Sequence, residues 1–223
     1  MPIDAEVLRH IPMFAPLGRE DLARIAAVTR ERYHERGEII VLEGDLGGAL
    51  YYVQSGLVKV FKSSPSGKEQ VLRLIAAGHT FNDVPALDGG PNPASVAAVE
   101  RSLVSAIPHA ELRTLIMTRP EVAEAIIQTL TSALRHLVTL AEDLSLRRVT
   151  ARVAKILLDQ EVVAQQEQQT YHLTQQEMAA LAGTAREVVG RSLKELEVAG
   201  AIEVRQGRVV VVNGERLGLL ATE

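Results

Sequence analysis

Leu173-Thr174-Gln175-Gln176-Glu177-Met178, followed by Gly183-Thr184-Ala185-Arg186-Glu187-Val188-Val189-Gly190-Arg191, decides how the rest of this 223-residue chain reads. Thr174 stands three residues before Glu177. Its hydroxyl can accept from the Glu177 amide while Glu177 reaches back, which is a capping box, and Leu173 and Met178 fill the two positions of a hydrophobic staple. A helix is expected to start there and run to about Leu181, with Gly183 supplying a tight turn. Thr184 and Glu187 repeat the capping-box spacing, which predicts a second helix to about Ala199, ended by Gly200. Two short helices joined by a glycine turn form a helix-turn-helix.

The second helix has two faces. Val189, Leu193 and Leu196 share one side, whereas Arg186, Glu187, Gly190, Arg191 and Lys194 span an arc of about 140° on the other. A mid-helix glycine costs about 1 kcal/mol relative to Ala. Placing Gly190 on the charged arc suggests that something large approaches there, and duplex DNA is such an object. Arg can donate two hydrogen bonds to guanine and Glu can accept from cytosine. Amides at the helix starts, around Thr174, Gln175 and Gln176 and around Thr184, can meet phosphates. The plain alternatives are a solvated charged face and, for Glu187, a capping role alone. Ile202–Arg205, Gln206-Gly207 and Arg208–Val212 then read as a β-hairpin with a basic tip at Arg205 and Arg208, a wing beside the two helices. Capped helix, glycine turn, mid-helix glycine and basic wing together favour DNA.

Working back toward the N-terminus, residues 161–172 are Gln-rich and read as a solvated connection. A helix with Val149, Val153, Ile156 and Leu157 as its buried stripe precedes them. Before it, Ala123, Ile127, Leu130, Leu134, Leu137, Ala141 and Leu144 are spaced 4, 3, 4, 3, 4, 3, a 3.5-residue repeat that pairs two helices. A second stripe of Ile126, Ala133 and Leu140 suits the chain's own β unit. An ordinary amphipathic helix against one domain is the alternative. Arg147-Arg148 interrupt the seam and mark a hinge near Ser145–Arg148. From Gly37 to Val104 short β-rich runs alternate with glycines (Glu38–Leu42, Leu50–Gln54, Leu57–Lys62, Gln70–Ile75, Ser95–Val99), and Leu103–Ile107 adds another, which predicts a sandwich or barrel-like unit. Residues 3–36 read as helical.

Composition narrows the function. Apolar residues are 47%, enough for a substantial core, and aromatic residues only 3%, which argues against stacking single-stranded bases. There is no cysteine, so disulfides, thiolate zinc sites, cysteine-ligated iron–sulfur clusters and a cysteine nucleophile are excluded together. The longest stretch without Asp, Glu, Lys or Arg is the 13 residues Leu46–Val58, too short to span a bilayer, and Asp4 and Glu6 replace a signal-peptide core. A soluble cytoplasmic protein is expected. Net charge is −4, all of it within residues 1–146 (14 Lys/Arg against 18 Asp/Glu); residues 147–223 hold 10 of each. Polyanion binding must therefore use a local patch near the C-terminus. No Ser–His–Asp, P-loop or Rossmann pattern is visible, so an enzyme is not expected. A cupin-like metal enzyme would need a histidine pair plus carboxylate, and His10, His34, His79, His109, His136 and His172 form no such pair.

With these motifs in place the chain resembles the Crp–Fnr family (catabolite activator and fumarate–nitrate regulators) along nearly its whole length. The resemblance is carried by Gly37-Glu38-Ile39-Ile40, Glu43-Gly44-Asp45, Tyr52-Val53, Gly56-Leu57-Val58-Lys59-Val60 and Val149-Thr150-Ala151-Arg152. Most specific is Thr174-Gln175-Gln176-Glu177 with Gly183 and Arg186-Glu187-Val188-Val189-Gly190-Arg191. It implies an α+β fold: a cyclic-nucleotide-binding-like β-roll (double-stranded β-helix, 1–118), a long dimerisation helix (119–146) and a winged helix-turn-helix (147–223). By the same resemblance Arg186, Glu187 and Arg191 touch base edges of a TGTGA-like half-site. The implied partners are double-stranded DNA, a second copy of the chain and RNA polymerase, with no membrane.

The effector pocket departs from the cyclic-AMP-binding pattern. The Gly-Glu pair of those relatives falls on Asn82-Asp83, after Phe81, and the phosphate-holding Arg-Ser pair on Pro93-Ala94. The polar purine contacts fall near Leu134 on Leu137 and Val138. Asp83 would face a phosphate without compensation. Cyclic AMP is therefore not expected to bind in the family manner, and the effector is left unknown. The family also includes haem proteins. For that mode His79, after Gly78, is the best-placed ligand, against the plainer reading of a turn histidine. Binding that needs no ligand is the other alternative.

Overall fold

The computed structural model describes residues 3–167, 173–205 and 208–222, with side chains from 162 to 167 left aside. It divides into two compact units. The first holds residues up to Lys62 together with Leu72–His136, and the second holds Ser63–Val71 and Leu137 onward.

In the first unit, short helices α1 (Ala5–Leu8) and α2 (Arg19–Val28), joined through a 3₁₀ turn at Pro12–Phe14, precede eight strands: β1 (Arg30–His34), β2 (Ile39–Val41), β3 (Ala49–Ser55), β4 (Leu57–Ser63), β5 (Glu69–Ala76), β6 (Thr80–Phe81), β7 (Ser95–Ala98) and β8 (Ser102–Pro108). Helix α3 (Asp83–Asp88) lies between β6 and β7, and α4 (His109–Thr118) leads into the long α5 (Pro120–Leu146). The strands form two four-stranded sheets, ordered β1-β8-β3-β6 and β2-β7-β4-β5. Val53, Phe81 and Val104 of one sheet meet Val41, Val58, Ile75 and Val96 of the other, and this apolar interior makes the pair a β-roll. A second core covers the outer side. Leu8, Phe14, Leu22 and Ile25 pack with Leu50, Ile107, Leu112, Leu115, Val122 and Ile126. The β3–β4 connection depends on Gly56, whose φ is +89° and where a Cβ would fall 2.4 Å from Ser102 Oγ.

Two expectations are corrected. The helical reading of 3–36 ends at Val28, because Arg30–His34 is strand β1, paired with β8. This outer strand carries Arg30, Glu31 and Arg32, charges suited to an exposed edge, and so lacks the apolar alternation that would reveal it. The Gln-rich connection is also shorter than expected. Helix α6 (Val149–Glu167) continues through Gln165 and Gln166, consistent with the good helix propensity of Gln; the expected connection at 168–172 lies outside the described residues. In α6 the buried stripe is Ala151, Val153, Ala154 and Leu157, with Val149 and Ile156 half-buried. The second unit is completed by α7 (Gln175–Ala182), α8 (Arg186–Val198), a hairpin of β9 (Ile202–Arg205) and β10 (Arg208–Val211), and α9 (Gly214–Leu220).

Candidate DNA interface and effector pocket

The first capping box is formed as the spacing requires. Thr174 Oγ1 accepts from the Glu177 amide at 3.2 Å and Glu177 Oε2 accepts from the Thr174 amide at 2.6 Å, with Leu173 and Met178 both buried. The second box is not formed. Gly183 takes the left-handed conformation, and the Thr184 amide is drawn back onto the Ala179 carbonyl at 2.9 Å, closing the end of α7. Helix α8 therefore starts one residue later, capped by the backbone of Ala185 with no side-chain cap, and Glu187 falls one position short of the capping site. The reading of Glu187 as a capping residue is thereby removed, and among the described residues no side chain makes a cap hydrogen bond at the start of α8. Such a helix start can accept a phosphate.

Val189, Ser192, Leu193 and Leu196 bury one side of α8. Thr150 of α6 donates to Glu195 Oε2 at 2.6 Å and to Ser192 Oγ at 3.1 Å, fixing the helix from behind. Arg186, Glu187, Arg191 and Lys194 are exposed, and none has a hydrogen-bond or ion-pair partner among the described residues. Gly190 sits between them. A Cβ there would find only Gln175 Oε1, at 3.8 Å, so internal packing does not demand the glycine and the face is open to a close external approach. That contact also brings the start of α7 beside the charged arc, with Thr174, Gln175 and Gln176 exposed. In the wing, Arg205 and Arg208 are cross-strand partners, while Gln206 and Gly207 lie outside the described residues. Arg205 pairs with Glu203 at 2.7 Å, and Glu197 of α8 holds the Val204 amide at 3.0 Å. Of the two, Arg208 has no ion-pair partner among the described residues. Two cations directly opposite repel, so Glu203 stabilises this tip, as an anion also would.

Among the described residues, Asp83 of α3 forms no ion pair. Thr80 Oγ1 donates to it at 3.4 Å, and burial pushes its carboxyl above the ordinary range, opposed by the charge of Arg73. Arg73 is thus a positive charge near Asp83, although burial outweighs it. Arg73 was missed by the sequence reading, although Val71-Arg73-Ile75 is a period-2 set whose two apolar members are buried. Asn82 adopts a left-handed conformation (φ +65°) and donates from its side chain to the Ala49 carbonyl at 3.0 Å. Phe81 is a core residue stacked on Tyr51, with ring centroids 5.0 Å apart. Pro93 is exposed and its carbonyl accepts from Lys62, which also pairs with Glu43; Ala94 is buried. A crevice lined by Asp83 with Met13, Leu50, Leu112, Ile126 and Leu130 is too tight to admit a water molecule. Of the eight pocket residues expected from sequence, this crevice includes Asp83 alone.

Helix α5 keeps Ile126 buried and leaves Ile127 (63%), Leu134 (62%), Leu137 (49%) and Val138 (62%) exposed, with Ala141 also exposed and Ala123, Leu130 and Leu144 half-buried. An isolated helix with this row of apolar side chains in water is incomplete. His136 is exposed and hydrogen-bonds the Leu72 carbonyl at 3.0 Å. His79 is exposed and bonds the Ala77 carbonyl of its own turn. Among the described residues no helix is long and apolar enough to cross a membrane.

Two family models match the chain: a cyclic nucleotide-binding domain over residues 31–119 and a Crp-like helix-turn-helix domain over 151–220. The chain is 34% identical over 204 residues to the cyclic AMP receptor protein of Thermus thermophilus, covering 92% of this chain and 94% of that one. The chain belongs to the Crp–Fnr family of transcription regulators. A CRP-like cAMP-activated global transcriptional regulator of Mycobacterium tuberculosis is 31% identical over 201 residues, 86% of this chain and 90% of the relative. FixK2 of Bradyrhizobium japonicum shares the fold, with a TM-score of 0.75 at 22% identity over 86% of this chain and 97% of that one.

As a Crp–Fnr regulator the chain is a DNA-binding protein rather than an enzyme. The Val149-Thr150-Ala151-Arg152 motif that marked the α5–α6 break acquires a physical role. Arg152 donates to the carbonyls of Arg147 at 2.8 Å, Asp143 at 3.4 Å and Ala182 at 2.8 Å. Buried Asp143 pairs with Arg147 at 2.9 Å and with Lys155, and Arg147 donates to the Ala221 carbonyl. The expected hinge at Ser145–Arg148 is a real helix break, but a cross-linked one.

Proposed function

We propose that two copies of this chain, paired along the seam Ala123, Ile127, Leu130, Leu134, Leu137, Ala141 and Leu144, read a palindromic TGTGA-like operator. Arg186, Glu187 and Arg191 read base edges. Thr174, Gln175, Gln176, Thr184, Lys194, Arg205 and Arg208 position the phosphates, with the backbone of Gly190 in close approach. The bound dimer regulates transcription through contact with RNA polymerase. The observation that carries this reading is the row of exposed Arg186, Glu187, Arg191 and Lys194, without partners among the described residues, around an open Gly190 on an otherwise well-anchored helix. The effector is a small molecule that is not held as cyclic AMP is held in the family, because Pro93-Ala94 carry no guanidinium and Leu137 and Val138 no polar group. Selection of bound duplexes from a random library tests the operator. Recovery of two inverted TGTGA-like half-sites about one helical turn apart is expected, and recovery of unrelated or single sites refutes it. Calorimetric titration tests the effector, where micromolar cyclic AMP binding would be the contrary result.

A further inference from the structure

The tip of the β4–β5 hairpin, Ser63–Val71, groups with the second unit, and there it reaches the turn that launches the recognition helix. Gln70 Nε2 donates to the Leu181 carbonyl at 3.4 Å, and Lys68 Nζ to the Gly183 carbonyl at 3.5 Å. The carbonyl between them, Ala182, accepts from Arg152 at 2.8 Å. Three consecutive carbonyls at the end of α7 are thus each held by a different side chain. A helix C-terminus presents unsatisfied acceptors and partial negative charge, so an ammonium, an amide and a guanidinium are suited to it. The approach is close. A Cβ at Gly183 would fall 2.7 Å from Gln70 Oε1 and 2.8 Å from Leu144 Cδ2, so the turn is confined between the hairpin tip and α5. The tip is itself closed, the Lys68 amide donating to Ser64 Oγ at 3.0 Å and the Ser64 amide to the Lys68 carbonyl at 2.9 Å.

We propose that Lys68 and Gln70 are positioning residues for DNA reading: with Arg152 they hold the end of α7 and so set the direction in which α8 leaves the Gly183 turn. The functional part rests on α8 being the reading helix. The test uses full-length protein, the doubly substituted Lys68→Ala/Gln70→Ala, the tip control Ser66→Ala and the charge-restoring Lys68→Arg/Gln70. The first measurement is amide exchange over Thr184–Val189 in the absence of DNA. Exchange about five- to tenfold faster in the double variant, as expected for losing two modest polar contacts, and wild-type in Ser66→Ala, supports the proposal; unchanged exchange overturns it. The second is the ratio of affinities for an operator selected by the wild-type protein and for random duplex, across a salt series. A ratio about fivefold lower with unchanged salt slope supports positioning, with Lys68→Arg restoring most of it. An unchanged ratio with a salt slope reduced by about 0.9 per chain overturns it, making Lys68 a phosphate contact. Should the wild-type protein select no operator, the DNA reading fails while the exchange measurement still decides this proposal. Should the double variant melt early, Lys68→Met, which keeps the aliphatic stem, carries the same two measurements.

Discussion

The arc of α8 and the interior of the β-roll both present charged side chains, but in opposite conditions. Arg186, Glu187, Arg191 and Lys194 stand in water on a helix whose other face is packed, and no described residue pairs with them. Asp83 at the start of α3 and Arg73 of β5 are half-buried, and burial disfavours the Asp83 carboxylate more than the charge of Arg73 favours it. The first arrangement costs little to maintain and is ready for a partner. The second is costly to keep ionised, because burial outweighs the neighbouring charge. Exposed and unpaired groups on a rigid element thus indicate function more directly than buried ones.

The largest effect that would break this comparison is expected at the arc. Arg186→Ala should weaken discrimination at one base step by about 1–3 kcal/mol, read as operator against single-mismatch affinity, with the melting temperature unchanged because the exposed guanidinium has no hydrogen-bond or ion-pair partner among the described residues. A variant that lost stability instead would show that the arc is held internally. Gly183→Ala should destabilise the folded protein by about 1–3 kcal/mol, since it combines a positive φ with two close contacts; Gly190→Ala, with only an ordinary contact, should raise stability slightly yet weaken operator binding. Denaturant titration and DNA binding on the same two proteins separate the cases. Thr174→Ala should cost about 1 kcal/mol of stability through loss of the α7 cap.

The smallest effect sharpens the β-roll side. The Asp83 pKa is raised on folding, so ionised Asp83 opposes folding at neutral pH, and that penalty fades as pH falls toward the unfolded carboxyl pKa. Asp83→Asn should therefore raise the melting temperature at pH 7, by a margin that shrinks on acidification and is gone below about pH 4. A margin that grows on acidification would place the Asp83 carboxylate in a stabilising pair.

These two regions also differ in how far the residues alone revealed them. The helix-turn-helix was legible because capping, turn and burial are local: Thr174, Glu177, Gly183, Val189 and Leu193 declare themselves within a few residues. The start of α8 was misread by one position because the Schellman-type closure onto Ala179 competes with a cap at Thr184, a contest that spacing cannot settle. Strand β1 was hidden by its charges. The surroundings of Asp83 depend on contacts across the roll, so Arg73 stayed unplaced. The β4–β5 tip against Leu181 and Gly183 joins residues more than a hundred positions apart, and no periodicity announces such a contact.

Paired chains that present α8 to successive major grooves require half-sites on one face of the duplex. Binding to a selected operator and to derivatives with 5 base pairs, about half a helical turn, inserted between its half-sites tests it most directly. The account predicts two chains per duplex and loss of specific binding on insertion. Affinity indifferent to the insertion, or one chain per duplex, would contradict it.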